Sequence, residues 1–207
     1  FLENCGAYLA AIRSIGRTEE YFYMPVFESA AMIPPQTRRE ALTEVRAQLD
    51  TVSGSILNIR VGGNDLSHAF GLRRPANRTI YDLRPVADIL IDIVAAFGTQ
   101  YVVSGPVWEY YSGEGWEEGL RREMELDLLN GFTGKTVIHP NQIPVVNEML
   151  RVSQRDYADA RAILNWDTGS GSLVSASEDG GRMNEYNTHS RWARRIVLRA
   201  ERYGVRA

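Results

Sequence analysis

A single cysteine, Cys5, stands in 207 residues. No disulfide can form within the chain, and a reducing cytoplasm is the simpler setting for it. No uninterrupted apolar stretch is long enough to cross a bilayer. The most apolar segment, VADILIDIVAAF, is broken by Asp88 and Asp92. No signal peptide opens the sequence. Neither sign of charge dominates: a net charge of −3 gives no bulk electrostatic case for nucleic acid or for a membrane surface. An initiator methionine is missing too; the chain starts at Phe1, in a segment that already reads as helix, and that start is read as a cut. What remains is ordinary globular composition, 44% hydrophobic and 24% charged. Such a chain can bury the core of one domain, or of a domain with an appendage.

Apolar runs and helical periods alternate along the sequence, the pattern of a parallel sheet. A helix is expected over Leu2–Ile15, a strand over Tyr21–Phe27 and a helix over Pro35–Leu49. Ser55–Val61 reads as the next strand, followed by a loop rich in Gly and Arg. The helix near Ile80–Phe97 carries Val86, Ile89, Leu90, Ile93, Val94 and Phe97 on one face. Tyr101–Ser104, helix Glu117–Leu129, Lys135–Ile138 and helix Gln142–Leu150 complete four βα units. A (β/α)8 barrel has eight, so the expected fold is α/β, the C-terminal portion of a TIM barrel, with earlier strands upstream. Residues 1–152 form that portion. Residues 153–207 form a helical extension: a helix Ser153–Leu164, a Gly-Ser linker at Thr168–Ser172, a hairpin turning at Asp179-Gly180-Gly181, and a helix Thr188–Tyr203 with Trp192, Ile196, Ala200 and Tyr203 on its apolar face.

Two carboxylates end two of the apolar runs. Glu28 closes YFYMPVFE and Asp65 closes SILNIRVGGND. Successive βα units put such residues side by side at the mouth of a parallel barrel, on strands roughly 4.8 Å apart, within reach of one divalent cation. Few oxygen ligands with positions left for substrate suit Mg2+. Asp65 has a second reading, as the cap of a following helix. Gly62 and Gly63 allow backbone turning and close approach to a substrate carboxylate, and Arg73 and Arg74, in the loop beyond, could meet an anionic substrate. His139 reads as a structural hydrogen-bonding residue at a strand exit; His68 and His189 have no supporting constellation. Arg191, Arg194, Arg195, Arg199 and Arg202 read mainly as a solvated helix face. Trp108, Tyr110 and Tyr111 either line a pocket wall or pack under a loop.

Three stretches carry a resemblance. FESAAM at Phe27, VGGNDLSHAFG at Val61 and WEEGLRREMELDLLNGFTGKTVIHPNQI at Trp116 resemble, in that order, segments of the citrate lyase beta subunit and HpcH/HpaI aldolase superfamily. The match extends from Tyr21 to Ala162. It implies a TIM barrel that makes or breaks a carbon–carbon bond beside a keto acid or CoA thioester, with Glu28 and Asp65 as Mg2+ ligands. A class II hydroxy-keto-acid aldolase and a catalytically silent binding or assembly barrel are the rivals. The chain departs from the family in having Asn64 before Asp65 and the aromatic run SGPVWEYY after the third strand, and the family's substrate-gripping Arg belongs to an earlier strand. The resemblance further implies a lid acid at Glu185, within Gly181-Arg182-Met183-Asn184-Glu185, where the family has Gly-x-Met-Ile-Asp; helix opening is the equal alternative for this residue. It also implies a homotrimer or other homo-oligomer, with Trp166 and Trp192 as anchors.

Overall fold

The computed structural model describes residues 2–16, 19–166, 174–177 and 180–206. The expected Gly-Ser linker lies outside them, as does part of the expected turn at Asp179. The chain divides into two units, Phe1–Val145 and Val146–Ala207.

In the first unit four strands form one parallel sheet in sequential order: β1 (Val26–Phe27), β2 (Ile59–Val61), β3 (Val103–Gly105) and β4 (Gly134–Lys135). The register pairs Phe27 with Val61, Arg60 with Ser104 and Gly105 with Lys135. Helices α1 (Leu2–Ser14), α2 (Pro35–Thr51), α3 (Gly63–Ala69), α4 (Arg84–Phe97) and α5 (Trp116–Leu129) accompany them, and α6 (Gln142–Met149) contains the division between the units. The first strand is shorter than its apolar run because Pro25 lacks an N–H for the ladder. An isolated bridge joins Tyr23 to Ile56, whereas Val26 pairs with Arg60. One extra residue therefore sits on the second strand, a bulge that re-aims its end.

The period read from α4 is the one that packs: Val86, Ile89, Leu90, Ile93 and Phe97 are all fully buried. They meet Phe27, Ile59, Val61 and Val103 from the sheet, with the Phe27 and Phe97 ring centroids 5.0 Å apart. Each such side chain contributes roughly 1.5–3 kcal/mol by leaving water, so this layer holds the strand ends in place. Alternation puts Phe22, Met24 and Val26 on the other side of the first strand segment, where they are exposed.

In the second unit α7 (Gln154–Leu164) packs on α8 (Tyr186–Tyr203) through Ala160, Ile163, Ala193, Ile196 and Ala200. Small alanines at the contact let the two helices approach closely. Ser153 caps α7 by accepting the Asp156 N–H at 3.1 Å. A hairpin joins β6 (Val174–Ala176) to β7 (Met183–Glu185). The break between units falls after Val145 rather than after Val152 because β5 (Val152–Ser153) pairs with β8 (Val205–Arg206) at the far end of the chain. No helix among the described residues is long and apolar enough to cross a membrane.

Candidate active site

Glu28 follows β1 directly and is exposed. The β1–β2 register runs on past Phe27–Val61, so Glu28 lies alongside Gly62, whose N–H donates to the Phe27 carbonyl at 3.0 Å. A Cβ on Gly62 would stand closer than 3.0 Å to both Cβ and Oε2 of Glu28. The missing side chain is the space the Glu28 carboxylate uses. Gly63 is equally confined: a Cβ there would lie 2.6 Å from Ile80 Cδ1 and 2.6 Å from Pro106 Cβ. These two glycines serve close packing of side chains against the backbone.

Asp65 is not at the strand end itself. It sits in the first turn of α3, a seven-residue helix that the sequence pattern did not announce. Gly63, Asn64, Asp65, Ser67 and His68 are weak helix formers, but Leu66 is fully buried and the Ser67 hydroxyl donates to the Gly63 carbonyl at 2.7 Å. Asp65 is exposed and gains from the positive end of the short helix. Glu28, directly after β1, and Asp65, in the first turn of the helix after β2, thus belong to successive βα units. Among the described residues no group of three or more His, Cys, Asp or Glu converges to hold a metal. The pair offers hard oxygen donors only, and that set fits Mg2+, which keeps several waters and binds through one or two carboxylates plus substrate oxygens.

Arg73 and Arg74 have separate fates. Arg73 is exposed, with Nε 2.9 Å from Glu109 Oε2, on the wall of a cavity of about 380 Å³ that Asn64, Ser67, His68 and Leu72 also line. Arg74, expected as a substrate contact, is buried instead. Its Nε lies 2.9 Å from Glu123 Oε2, Nη2 donates to the Val107 carbonyl at 2.5 Å, and Nη1 donates to Asn64 Oδ1 at 3.2 Å. The guanidinium also stands 5.1 Å from the Trp108 ring centroid. The guanidinium is thus enclosed and held by Glu123, Val107 and Asn64.

Glu123 leads into a network that sequence reasoning missed. Lys135, the one lysine in the sequence, donates to Glu123 Oε1 and to Asp127 Oδ2, both at 2.8 Å. Tyr81 donates to Asp127 Oδ1 at 2.7 Å, and the Ile80 N–H donates to Glu123 Oε2 at 2.8 Å. Two cations and two anions balance in a buried site. Burial pushes the Asp127 carboxyl above its ordinary range against the pull of Lys135, and burial beside Asp127 pushes the Tyr81 phenol up. A signal was available: Glu123 and Asp127 fall in phase with Leu120 and Met124 on the buried face of α5, where acids demand partners.

Trp108 is fully buried against the first turn of α5, donating from Nε1 to the Trp116 carbonyl at 2.9 Å. His139 accepts the Asn141 N–H at 3.2 Å through Nδ1 and stacks on Tyr111 at 4.3 Å, the structural role expected of it. In the second unit Glu185 is half-buried at the residue before α8. Its N–H donates to His189 Nδ1 at 3.0 Å, and its side chain makes no capping hydrogen bond.

A parallel β/α sheet with helices packed against it is the architecture of a TIM-barrel portion. Residues 2–205 match the C-C bond lyases of the TIM-barrel fold, and the chain belongs to that family. Over 74 residues it is 38% identical to the L-malyl-CoA/beta-methylmalyl-CoA lyase of Cereibacter sphaeroides, a stretch covering 35% of this chain and 22% of that one. The protein CitE from Mycobacterium tuberculosis, solved with magnesium, acetoacetate and coenzyme A, is 27% identical with a TM-score of 0.51, covering 71% of this chain and 53% of CitE. A citrate lyase from Burkholderia xenovorans LB400 shares the fold at 17% identity and a TM-score of 0.66, covering 96% of this chain and 58% of that one. The chain therefore spans little more than half the length of these solved structures.

Proposed function

We propose that this chain carries the metal-binding part of a Mg2+-dependent lyase that cleaves or forms a carbon–carbon bond in a keto acid or CoA thioester. The observation that supports this most directly is the contact of Glu28 with Gly62, three residues before Asp65. It brings Glu28 against the backbone of the segment that leads into the helix bearing Asp65. CitE, with its magnesium, acetoacetate and coenzyme A, supports the substrate class.

In the cleavage direction a base takes the proton of the substrate hydroxyl and the carbon–carbon bond breaks. Its electron pair passes into the neighbouring carbonyl as an enolate, whose carbon then accepts a proton. Glu28 and Asp65 would hold Mg2+, which would supply Lewis-acid stabilisation of the oxygen on which charge develops. Within the proposal Arg73, exposed beside its cavity, meets the anionic end of the substrate. Glu185 is the acid–base group. A homo-oligomer, a trimer by resemblance, and a reducing cytoplasm belong to the same reading.

Calorimetric Mg2+ titration tests the metal site. Wild type binds the ion and Glu28→Gln and Asp65→Asn each lose it; a wild-type chain that binds no divalent cation ends the enzyme reading. Glu185→Gln abolishes turnover with metal binding and folding intact, whereas unchanged turnover leaves Glu185 only its place before α8. Light scattering that finds a fully active monomer removes the oligomer.

A further inference from the structure

The three residues before Asp65 are each held by a different neighbour. Gly62 lies against Glu28 beyond β1, and Gly63 is wedged between Ile80 and Pro106. Asn64 accepts from Arg74 Nη1 at 3.2 Å. The first two contacts are steric; the third leads into the buried ion network. Arg74 holds Val107, beyond β3, and Glu123 on α5. Glu123 in turn holds Lys135 on β4 and the backbone of Ile80, the residue packed on Gly63. The path from Asn64 thus runs through Arg74 after β2, Glu123 after β3 and Lys135 on β4. Arg74, Glu123 and Lys135 are buried side chains with both signs of charge satisfied, so the network has little freedom to shift. Asn64 itself is exposed and is the only member within one residue of Asp65.

We propose that Asn64 and Arg74 are positioning residues for Asp65: the Asn64–Arg74 hydrogen bond sets the orientation of the first turn of α3 and thereby the affinity of the Glu28–Asp65 pair for a divalent cation. This rests on the metal reading given above. A carboxylate on a seven-residue helix has little intrinsic helical stability to hold it, and a fixed point at the preceding residue supplies what the helix lacks. A polar side chain that orients a ligand from one step behind it typically changes metal affinity by about 10–100-fold when removed.

The experiment is calorimetric titration of the full chain with Mg2+ alone, with thermal unfolding measured on the same samples. Asn64→Ala removes only the exposed end of the tie and leaves the Arg74–Glu123 pair intact. Its Mg2+ affinity falls about tenfold or more while its melting temperature stays at the wild-type value, a separation that a merely structural residue does not produce. In a double-mutant cycle, Asn64→Ala costs no further affinity once Arg74→Met has been made, because the two act through one contact. If Arg74→Met does not fold, Asn64→Ala alone decides. Unchanged affinity in Asn64→Ala, with Asp65→Asn abolishing binding, overturns the positioning role and leaves the metal site standing. A wild-type chain without Mg2+ binding overturns both.

Discussion

Gly62 and Glu28 touch through a side chain that Gly62 does not have: a methyl group there would overlap both the Cβ and the Oε2 of Glu28. The overlap with Cβ cannot be relieved by turning the carboxylate, because Cβ moves only with the backbone. Gly62→Ala therefore displaces the end of β1. An overpacking cost of about 1–3 kcal/mol is expected, measured by urea unfolding, together with weaker Mg2+ binding by calorimetry. Wild-type values for both would show that the strand ends adjust freely.

The Lys135 ammonium is fully enclosed with two carboxylates. Lys135→Met leaves Glu123 and Asp127 as buried neighbours of like charge, still held by Arg74, Tyr81 and the Ile80 N–H. Breaking such a network from one side costs about 3–5 kcal/mol, seen as a fall in the urea midpoint without a change in slope. A loss below ~1 kcal/mol would mean that water reaches the site.

Tyr101 donates to Asp50 Oδ1 at 2.6 Å, and burial together with that carboxylate pushes its phenol up to about 12. The unfolded chain loses this proton near the ordinary value of 10, before the folded one does. The group's stabilising contribution is therefore complete below pH 10 and disappears as the pH rises through the folded value. Tyr81 is displaced in the same direction. Denaturant midpoints measured across that range fall steeply in wild type, and the fall is shallower in Tyr101→Phe. An equally steep fall in the variant would assign the alkaline loss to other groups.

Arg182 joins three parts of the second unit. It bridges Asp156 at 2.9 Å and the buried Asp159 at 2.5 Å, both on α7, and stands 5.2 Å from the Trp192 ring centroid on α8. Asn184 of β7 also donates to Asp159, at 3.0 Å. Arg182→Ala strands the Asp159 carboxylate, and a loss of about 2–3 kcal/mol is expected after allowing for the partial exposure of the arginine. Asp159→Asn in the same background restores part of it by removing the stranded charge; failure to recover would place the effect in the Trp192 contact.

Local spacing carried much of this structure. Val86 to Phe97 repeats at a helical period that must bury one face, and so α4 and the layer it covers were legible in the sequence. The alternation of strand and helix was legible for the same reason, and so was the presentation of Glu28 and Asp65 by successive units. The family motifs from Val61 and Trp116 named the class of barrel. Tertiary structure decided what depends on residues far apart in the chain. Arg74 and Glu123 are 49 positions apart, and no pattern around Arg74 distinguishes an arginine that greets a substrate from one that neutralises a buried acid. The short helix bearing Asp65 has poor local propensity and exists because Leu66 finds a core to enter. Pairing of Val152 with Val205 moved the boundary between units, since a strand's partner is chosen by the folded chain. Periodicity reports which face is buried, and only the assembled packing reports what that face meets.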